Sequence, residues 1–474
     1  MQNQTDGAPS EANGREPPVL SNRPFLLLWL AQIISQTAQN AILYALIIIV
    51  LNRTESTTNT SVVVLSFVVP TVGFGLFAGV LVDRWSKRRL LILTNAGRAI
   101  TTVAFFFARE HVWALYGITA VFASFSQLFT TSNAASIPFM VPRHQLISAN
   151  TLFSGGFTIA QIAGLIILSP IILTIAGPGV LFASAGGAFV VAALLARFLP
   201  YIGSEGGEEA EGTFPGRAEL RGAVAEFATA MRVLRADLPS AMAMAHIAAS
   251  STIILLFAIL VPRYMQAVVQ VNADKAVTVF APVAFGALLG LRAVPLIVAR
   301  IGKTRTVALG LFGLALCLLV MGFVETIAAG LERTEQFNPF GTERVFGLSI
   351  LVALTALLAG PLGFAYAMLN TPAQTTLHER TPVDMRGRVI ASQMVLANGV
   401  ALLPLVVVGG IADLYGVSSV ILAIGVLLAA GGALSLYVER RWLQRQGDEP
   451  PPSGGENGEW SGRQEAVPGS IDTT

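Results

Sequence analysis

Apolar runs of about 20 residues recur from Phe25 to Val438, and no other feature constrains this 474-residue chain as strongly. A run of that length crosses the ~30 Å hydrocarbon core as one helix. The runs place predicted spans at 25–51, 62–82, 90–108, 112–134, 150–176, 178–200, 239–262, 277–299, 305–328, 345–371, 387–412 and 417–438, twelve in all. Charged residues make up 12% of the chain, about half the share of a soluble protein, and the mean hydropathy is +0.67. The runs are continuous and rich in Leu, Ala, Val and Gly, which excludes the short alternating strands of a membrane β-barrel. The fold class is therefore an all-α polytopic membrane protein in two six-helix halves.

The composition between the spans divides the chain. Residues 1–23 are polar and read as a disordered tail, 24–200 as the first half, 201–238 as a linker, 239–440 as the second half and 441–474 as a second disordered tail. The linker begins with the acidic, Gly-rich GSEGGEEAEG. Beyond it, Leu220, Val224, Phe227, Met231 and Leu234 recur at helical spacing, flanked by Arg217, Arg221, Arg232 and Arg235. That pattern fits an amphipathic helix on the membrane surface or a solvated linker helix. Cys317 is the single cysteine, so no disulfide forms within the chain. The polar start and long first run argue against a cleaved leader, and the first helix is expected to act as its own insertion signal.

The most charged short loop is GVLVDRWSKRR, Gly79 to Arg89, between the second and third spans. Short loops on its side of the membrane carry eleven Lys and Arg against six on the other. Cytoplasmic loops carry the excess, so this face and both termini are expected in the cytoplasm. The segment GKTRTVAL after the eighth span echoes SKRRLLIL after the second, and both follow small-xxx-small pairs, Gly75 with Gly79 and Gly286 with Gly290. With six spans on each side of the linker, the echo points to duplicated halves.

The layout from Pro24 to Arg441 resembles the major facilitator superfamily. GVLVDRWSKRR looks like that family's signature between helices 2 and 3. HERTPVDMRGRVIA (His378 to Ala391) and IPFMVPRHQLISANTL (Ile137 to Leu152) are similar to loops of a branch that includes enterobactin-type siderophore exporters and macrolide-efflux proteins. Two features depart from the pattern. Gly164 is followed by Leu165 where the branch tends to have a Gly-Pro pair, and helix 4 lacks the Arg found in many proton-coupled drug antiporters.

The resemblance implies that Asp83 ties helix 2 to helix 11, and Gly79, Arg84, Lys87, Arg88, Arg386 and Arg388 complete the expected conformational gate. The basic members fit a second role as topology signals. A substrate cavity is expected from polar residues on helices 1, 4, 5, 7 and 10. Gln32, Gln36, Asn40 and Tyr44 form one i, i+4 stripe on helix 1. Gln127, Gln161, His246, Tyr366 and Asn370 add to it, although such groups also hydrogen-bond between helices. Arg292 lies about eight residues inside helix 8, roughly 12 Å at 1.5 Å per residue, where it could bind a substrate anion or snorkel to the headgroups. His246 could carry a proton or serve structurally. No carboxylate stands in the middle of any span.

The expected function is export of a bulky amphiphilic small molecule, such as a drug, macrolide or siderophore, by alternating access across the bacterial inner membrane. The proton gradient is the expected drive and protons the coupling ion. Import, or transport of a lysolipid, fits the same fold. No HExxH, GxSxG or paired midmembrane acids are present, so enzymatic chemistry is not expected. Neither metal nor other cofactor is expected, nor a nucleic-acid partner. The bilayer and the transported molecule are the expected partners of a monomer.

Overall fold

The computed structural model describes residues 18–201, 216–271, 276–333, 344–345, 348–381 and 386–448. In chain order the helices are α1 (Arg23–Thr54), α2 (Thr57–Arg84), α3 (Lys87–Ala108), α4 (Val112–Met140), α5 (Leu146–Gln161) and α6 (Ser169–Arg197), then α7 (Arg217–Ala236) and α8 (Leu238–Ala267). They continue as α9 (Ala276–Ile301), α10 (Lys303–Gly322), α11 (Val324–Arg333), α12 (Ile350–Arg380), α13 (Arg386–Tyr415) and α14 (Val417–Asp448). Two strands of two residues each, β1 (Arg344–Val345) and β2 (Leu348–Ser349), pair before α12.

Among the described residues, eleven helices are long and apolar enough to cross a membrane. The remaining predicted span, the fifth, is assembled from pieces. It comprises α5, a π-helical stretch (Ile162–Leu168) and the start of α6. Gly177, at φ 77°, breaks α6, and 178–197 form the sixth span. The π stretch sits where the fifth span presses on α1. A side chain at Gly164 would come within 3.1 Å of the Thr37 carbonyl carbon, so only glycine fits there.

Corresponding spans pair alike in the two halves. The second packs on the fourth (α2 on α4) as the eighth packs on the tenth (α9 on α12). The third packs on the sixth (α3 on α6) as the ninth packs on the twelfth (α10 on α14). In lipid, van der Waals fit rather than water exclusion drives such packing. Gly286 and Gly290 bring α9 backbone-close to Gly360, Phe364 and Ala367 of α12, as their spacing implied. In the first half, Phe105, Phe122, Phe182 and Phe189 form the aromatic centre, with ring centroids 5.8–6.0 Å apart.

The structure differs from the sequence expectations in four places. Residues 18–22, assigned to a disordered tail, are packed: Val19 is buried and Asn22 Nδ2 donates to the Met140 carbonyl at 2.6 Å. The ninth span stops at Gly322, one residue before a second short helix, α11, so Glu325 opens that helix rather than ending a span. The linker helix α7 docks on the bundle, with Leu234 buried among Met244, Ile247, Leu377 and Val389. The twelfth span continues as helix to Asp448. The acidic linker segment and the chain before 18 and after 448 lie outside the described residues.

Candidate functional site: two gates and a polar interior

The two halves meet chiefly along α2 and α13. Near the middle of that seam, a side chain at Gly75 would come 2.9 Å from Val395 Cγ2. Toward the end of the molecule opposite the basic loop, Gly409 lies so close to α2 that a side chain there would approach the Thr58 Cα to 2.9 Å. The seam then loosens toward the basic face. A side chain at Gly79 would meet nothing within 4 Å, so the close approach expected at Gly79 occurs at Gly75 in this conformation.

The end opposite the basic loop is latched by polar contacts. Asp413, two residues before the end of α13, receives four hydrogen bonds from the start of α2 in the other half. The Thr57 N–H donates at 2.7 Å, the Thr58 N–H at 3.0 Å, and the Ser56 and Thr58 hydroxyls at 2.7 Å each. A carboxylate at a helix N-terminus satisfies orphan N–H groups and meets the positive end of the helix dipole. Beside it, Gln266 Nε2 donates to Asn52 Oδ1 at 2.7 Å, joining the end of α8 to α1. On the same face Arg53 pairs with Glu110 at 2.5 Å, and that hydrogen bond holds the Glu110 carboxyl below its usual range. Elsewhere the halves touch less: α4 and α12 scarcely touch along their length, and α9 meets the fifth span at its π stretch rather than along α5, the part of that span nearer the basic face.

The basic loop residues have specific roles beyond orientation. Arg84 forms an ion pair with Glu219 of α7. Because Leu234 and Met231 anchor α7 on α8, α12 and α13, this pair straps the first half to the second. Asp237, between α7 and α8, pairs with Arg380 of α12 at 3.0 Å. Arg88 donates to the Arg197 carbonyl at 2.5 Å, tying α3 to the end of α6, and Lys87 is buried beside the Phe139 ring. Asp83 is exposed at the end of α2 and has an interaction partner. The side chains of Arg386 and Arg388 lie outside the described part of the chain.

The stripe on α1 is a packed seam in this conformation, not an open wall. Gln32 Nε2 donates to the Phe153 carbonyl of α5 at 3.1 Å, and Gln36 Nε2 reaches Thr130 of α4 at 3.4 Å. Asn40 is half-buried and donates to the Gln36 carbonyl at 2.8 Å, while Tyr44 is buried with Ile48 and Leu51. The carbonyl oxygens of Gln32 and Gln36 are buried without a hydrogen-bond partner among the described residues, a cost that a polar guest or water would relieve. On α4, Gln127 lies next to Gly75 and reaches Thr131 at 3.4 Å. Gln161 ends α5 at the π stretch. In the second half two expected residues are joined through a third: Ser250 of α8 donates to Asn370 Oδ1 at 3.1 Å and lies in hydrogen-bonding reach of Tyr366. His246 stands one turn away on α8, half-buried, and Arg292 is exposed on α9.

A two-half bundle, latched at one end between α2 and α13, is the setting in which comparison with known proteins decides the family. Residues 28–404 match the Major Facilitator Superfamily model. The chain belongs to the major facilitator superfamily. Within it, the multidrug efflux pump Tap of Mycolicibacterium fortuitum is 22% identical over 430 residues, covering 88% of this chain and 96% of Tap. The MFS-type transporter YfiS of Bacillus subtilis is 27% identical over 190 residues, covering 39% of this chain and 44% of YfiS. Among solved structures, the nucleoside transporter NupG superposes with a TM-score of 0.62 at 14% identity, covering 87% of this chain and 99% of NupG. The POT family transporter PepTSo gives 0.66 at 12%, covering 90% and 99%. At such identities these likenesses speak for the fold.

One member of this chain's polar interior escaped the sequence reading. Arg98, eleven residues into α3, is fully buried. It donates to Ser35 Oγ at 2.6 Å, Asn95 Oδ1 at 2.8 Å and Gln39 Oε1 at 3.3 Å, and lies over the rings of Phe129 and Phe189 at 4.0 and 4.8 Å. Its signal was present in the sequence, since an ionisable residue amid an apolar span is a functional candidate by default. The Asp413 latch could not be read, because its partners stand some 355 positions away.

Proposed function

We propose that this chain is a secondary transporter that exports bulky amphiphilic molecules by alternating access. The observation that carries the reading is the asymmetry between its two ends. Asp413 and Gln266 hold the halves together at one face, while α5, on the basic side, stands apart from α9, and α4 scarcely touches α12. With the basic loops in the cytoplasm, as the positive-inside rule directs, this conformation receives substrate from the cytoplasm. Rocking the halves would break the Asp413 latch and bring the free surface of α2 around Gly79 against α13. The expected gate, Asp83 with Arg386 and Arg388, belongs to that second state. The similarity to Tap, named a multidrug efflux pump, supports export of drug-like molecules. The interior, apolar with amides, hydroxyls and the buried Arg98 but, among the described residues, no central carboxylate, suits large molecules of mixed polarity. Proton drive is part of the proposal, with His246 as the titratable group best placed to serve it.

The test uses everted membrane vesicles containing the protein and a panel of fluorescent amphiphiles. The expected result is accumulation on energisation that a protonophore abolishes. Accumulation equal to that of vesicles lacking the protein, across the panel, would reject the exporter reading.

A further inference from the structure

The linker helix α7 carries its arginines on one side and its acids on another. Arg221, Arg232 and Arg235 are exposed. At 3.6 residues per turn they fall within about 60° of one another around the helix. The acids of the same helix, Glu219 and Glu226, stand about 120° or more from each of the three. Val224, Ala225 and Ala228, also exposed, fill the face between the arginines. A different flank docks on the bundle, where Leu234 is buried and Phe227 and Met231 are half-buried. Among the described residues no ion pair engages Arg221, Arg232 or Arg235.

Two ion pairs fix the level at which this face lies. Glu219, near the start of α7, pairs with Arg84, the last residue of α2. Asp237, one residue past the end of α7, pairs with Arg380, the last residue of α12. It also caps α8, accepting from the Ser240 N–H at 3.1 Å. Both ends of α7 are therefore held where spanning helices end on the basic side, and the helix runs across the bundle for about 27 Å between them. Arg232 and Arg235 stand six and three residues before Leu238, where the next apolar span begins. A side chain at that level reaches the headgroup layer, and arginine does so with its stem along apolar neighbours, here Val224 and Ala228.

Three like charges with no acid among them repel one another, most of all Arg232 and Arg235, one turn apart. An anionic surface removes that cost, and a phosphate accepts both parallel N–H bonds of an arginine fork. The leaflet on the basic side, cytoplasmic by the positive-inside rule, is the one that carries a negative surface potential. We propose that α7 is a binding site for anionic phospholipid headgroups, held by Arg221, Arg232 and Arg235 along a stripe about 21 Å long. Because α7 is strapped to α2 and packed on α8, α12 and α13, lipid bound there touches the element that joins the two halves. The site is independent of which molecule is transported.

The test puts a bimane fluorophore on a cysteine at Ala228, in a Cys317→Ala background, in full-length protein reconstituted in phosphatidylcholine nanodiscs. The nanodiscs contain equal small fractions of a doxyl-labelled quencher lipid, either phosphatidylglycerol or phosphatidylcholine, with the doxyl group at the headgroup end of the acyl chain. Each arginine near an anionic surface is worth about fivefold in binding, so phosphatidylglycerol should quench about threefold or more over phosphatidylcholine. Replacing all three arginines by Gln should bring the two lipids nearly level, and replacing all three by Lys should keep the preference. Raising NaCl from about 0.1 to 0.5 M should reduce the preference of the parent, a readout that needs no variant. Equal quenching by the two lipids in the parent overturns the anionic selectivity. Quenching by neither puts the stripe in the cytosol and overturns the site, and a preference that survives the triple Gln variant overturns its assignment to these arginines.

Discussion

Replacing Asp413 by alanine should open the latched face. The carboxylate accepts from two backbone N–H groups and two hydroxyls at the start of α2, all between 2.7 and 3.0 Å. Loss of a side-chain cap costs a helix about 1 kcal/mol. Loss of a negative charge at the helix N-terminus adds about 0.3–1 kcal/mol at an exposed site. Water can replace the hydroxyl partners at this rim, so they add little. The total, about 1.5–2 kcal/mol, acts on the latched state alone because the contact crosses between halves. At about 1.4 kcal/mol per factor of ten, the ratio of latched to open molecules falls roughly 10- to 30-fold. Spin labels at Glu55 and Tyr415, in a Cys317→Ala background, would read it by double electron–electron resonance. Both sites are exposed and flank the latch from opposite halves. Asp413→Ala should move most of the distance distribution to the longer population, and Thr58→Ala, which removes one of the four bonds, should shift it only a few-fold. An unchanged distribution in Asp413→Ala would refute the assignment of the latch.

Three further outcomes follow from the same geometry. Arg84→Glu should slow transport several-fold by repelling Glu219, and the charge-swapped pair Arg84→Glu with Glu219→Arg should recover most of it; no recovery would mean that the α7 strap does not depend on this pair. Gly75→Leu should lower the melting temperature in detergent because Val395 already fills its space, whereas Gly79→Leu should leave melting unchanged and still slow transport, since its side chain would meet α13 only after rocking. A cysteine at Asn40 should react with a polar maleimide faster than one at Gln36, which is buried, and substrate should protect it; equal rates would place the α1 stripe on open water.

The twelve-span layout, the two halves and the helical character of the linker were legible because each rests on local pattern: run length, amphipathic period and a break in composition. Where that helix docks was not, because its partners Met244, Leu377 and Val389 lie on three other helices. The fifth span was misjudged only in detail, since a π stretch leaves no signature in hydropathy and Gly164 shows its reason only once Thr37 is beside it. In the second half Tyr366 and Asn370 stood out in the sequence as polar groups in an apolar run, but their link to Ser250 of α8 was not legible, because it joins helices more than 100 positions apart. The α1 stripe was readable as protein-facing but not as buried, because whether a polar stripe lines a cavity or a seam depends on the conformation the halves adopt. Asp413 and Glu219 were opaque for a different reason: ion pairs and caps between distant segments depend on tertiary register, which a charge at a helix end does not encode.

The most direct test of alternating access is a reversible cross-link across the latch. With Cys317 replaced by alanine, cysteines at Thr58 and Asp413 stand where the native hydroxyl and carboxylate are 2.7 Å apart. Everted vesicles carrying this pair would be oxidised, assayed for energised accumulation of a transported dye, then reduced and assayed again. The account expects transport to stop when the disulfide forms, to return on reduction, and to be unaffected by oxidant in either single-cysteine variant. Continued transport by the fully cross-linked protein would contradict it, because substrate would then be crossing without the halves parting at that face.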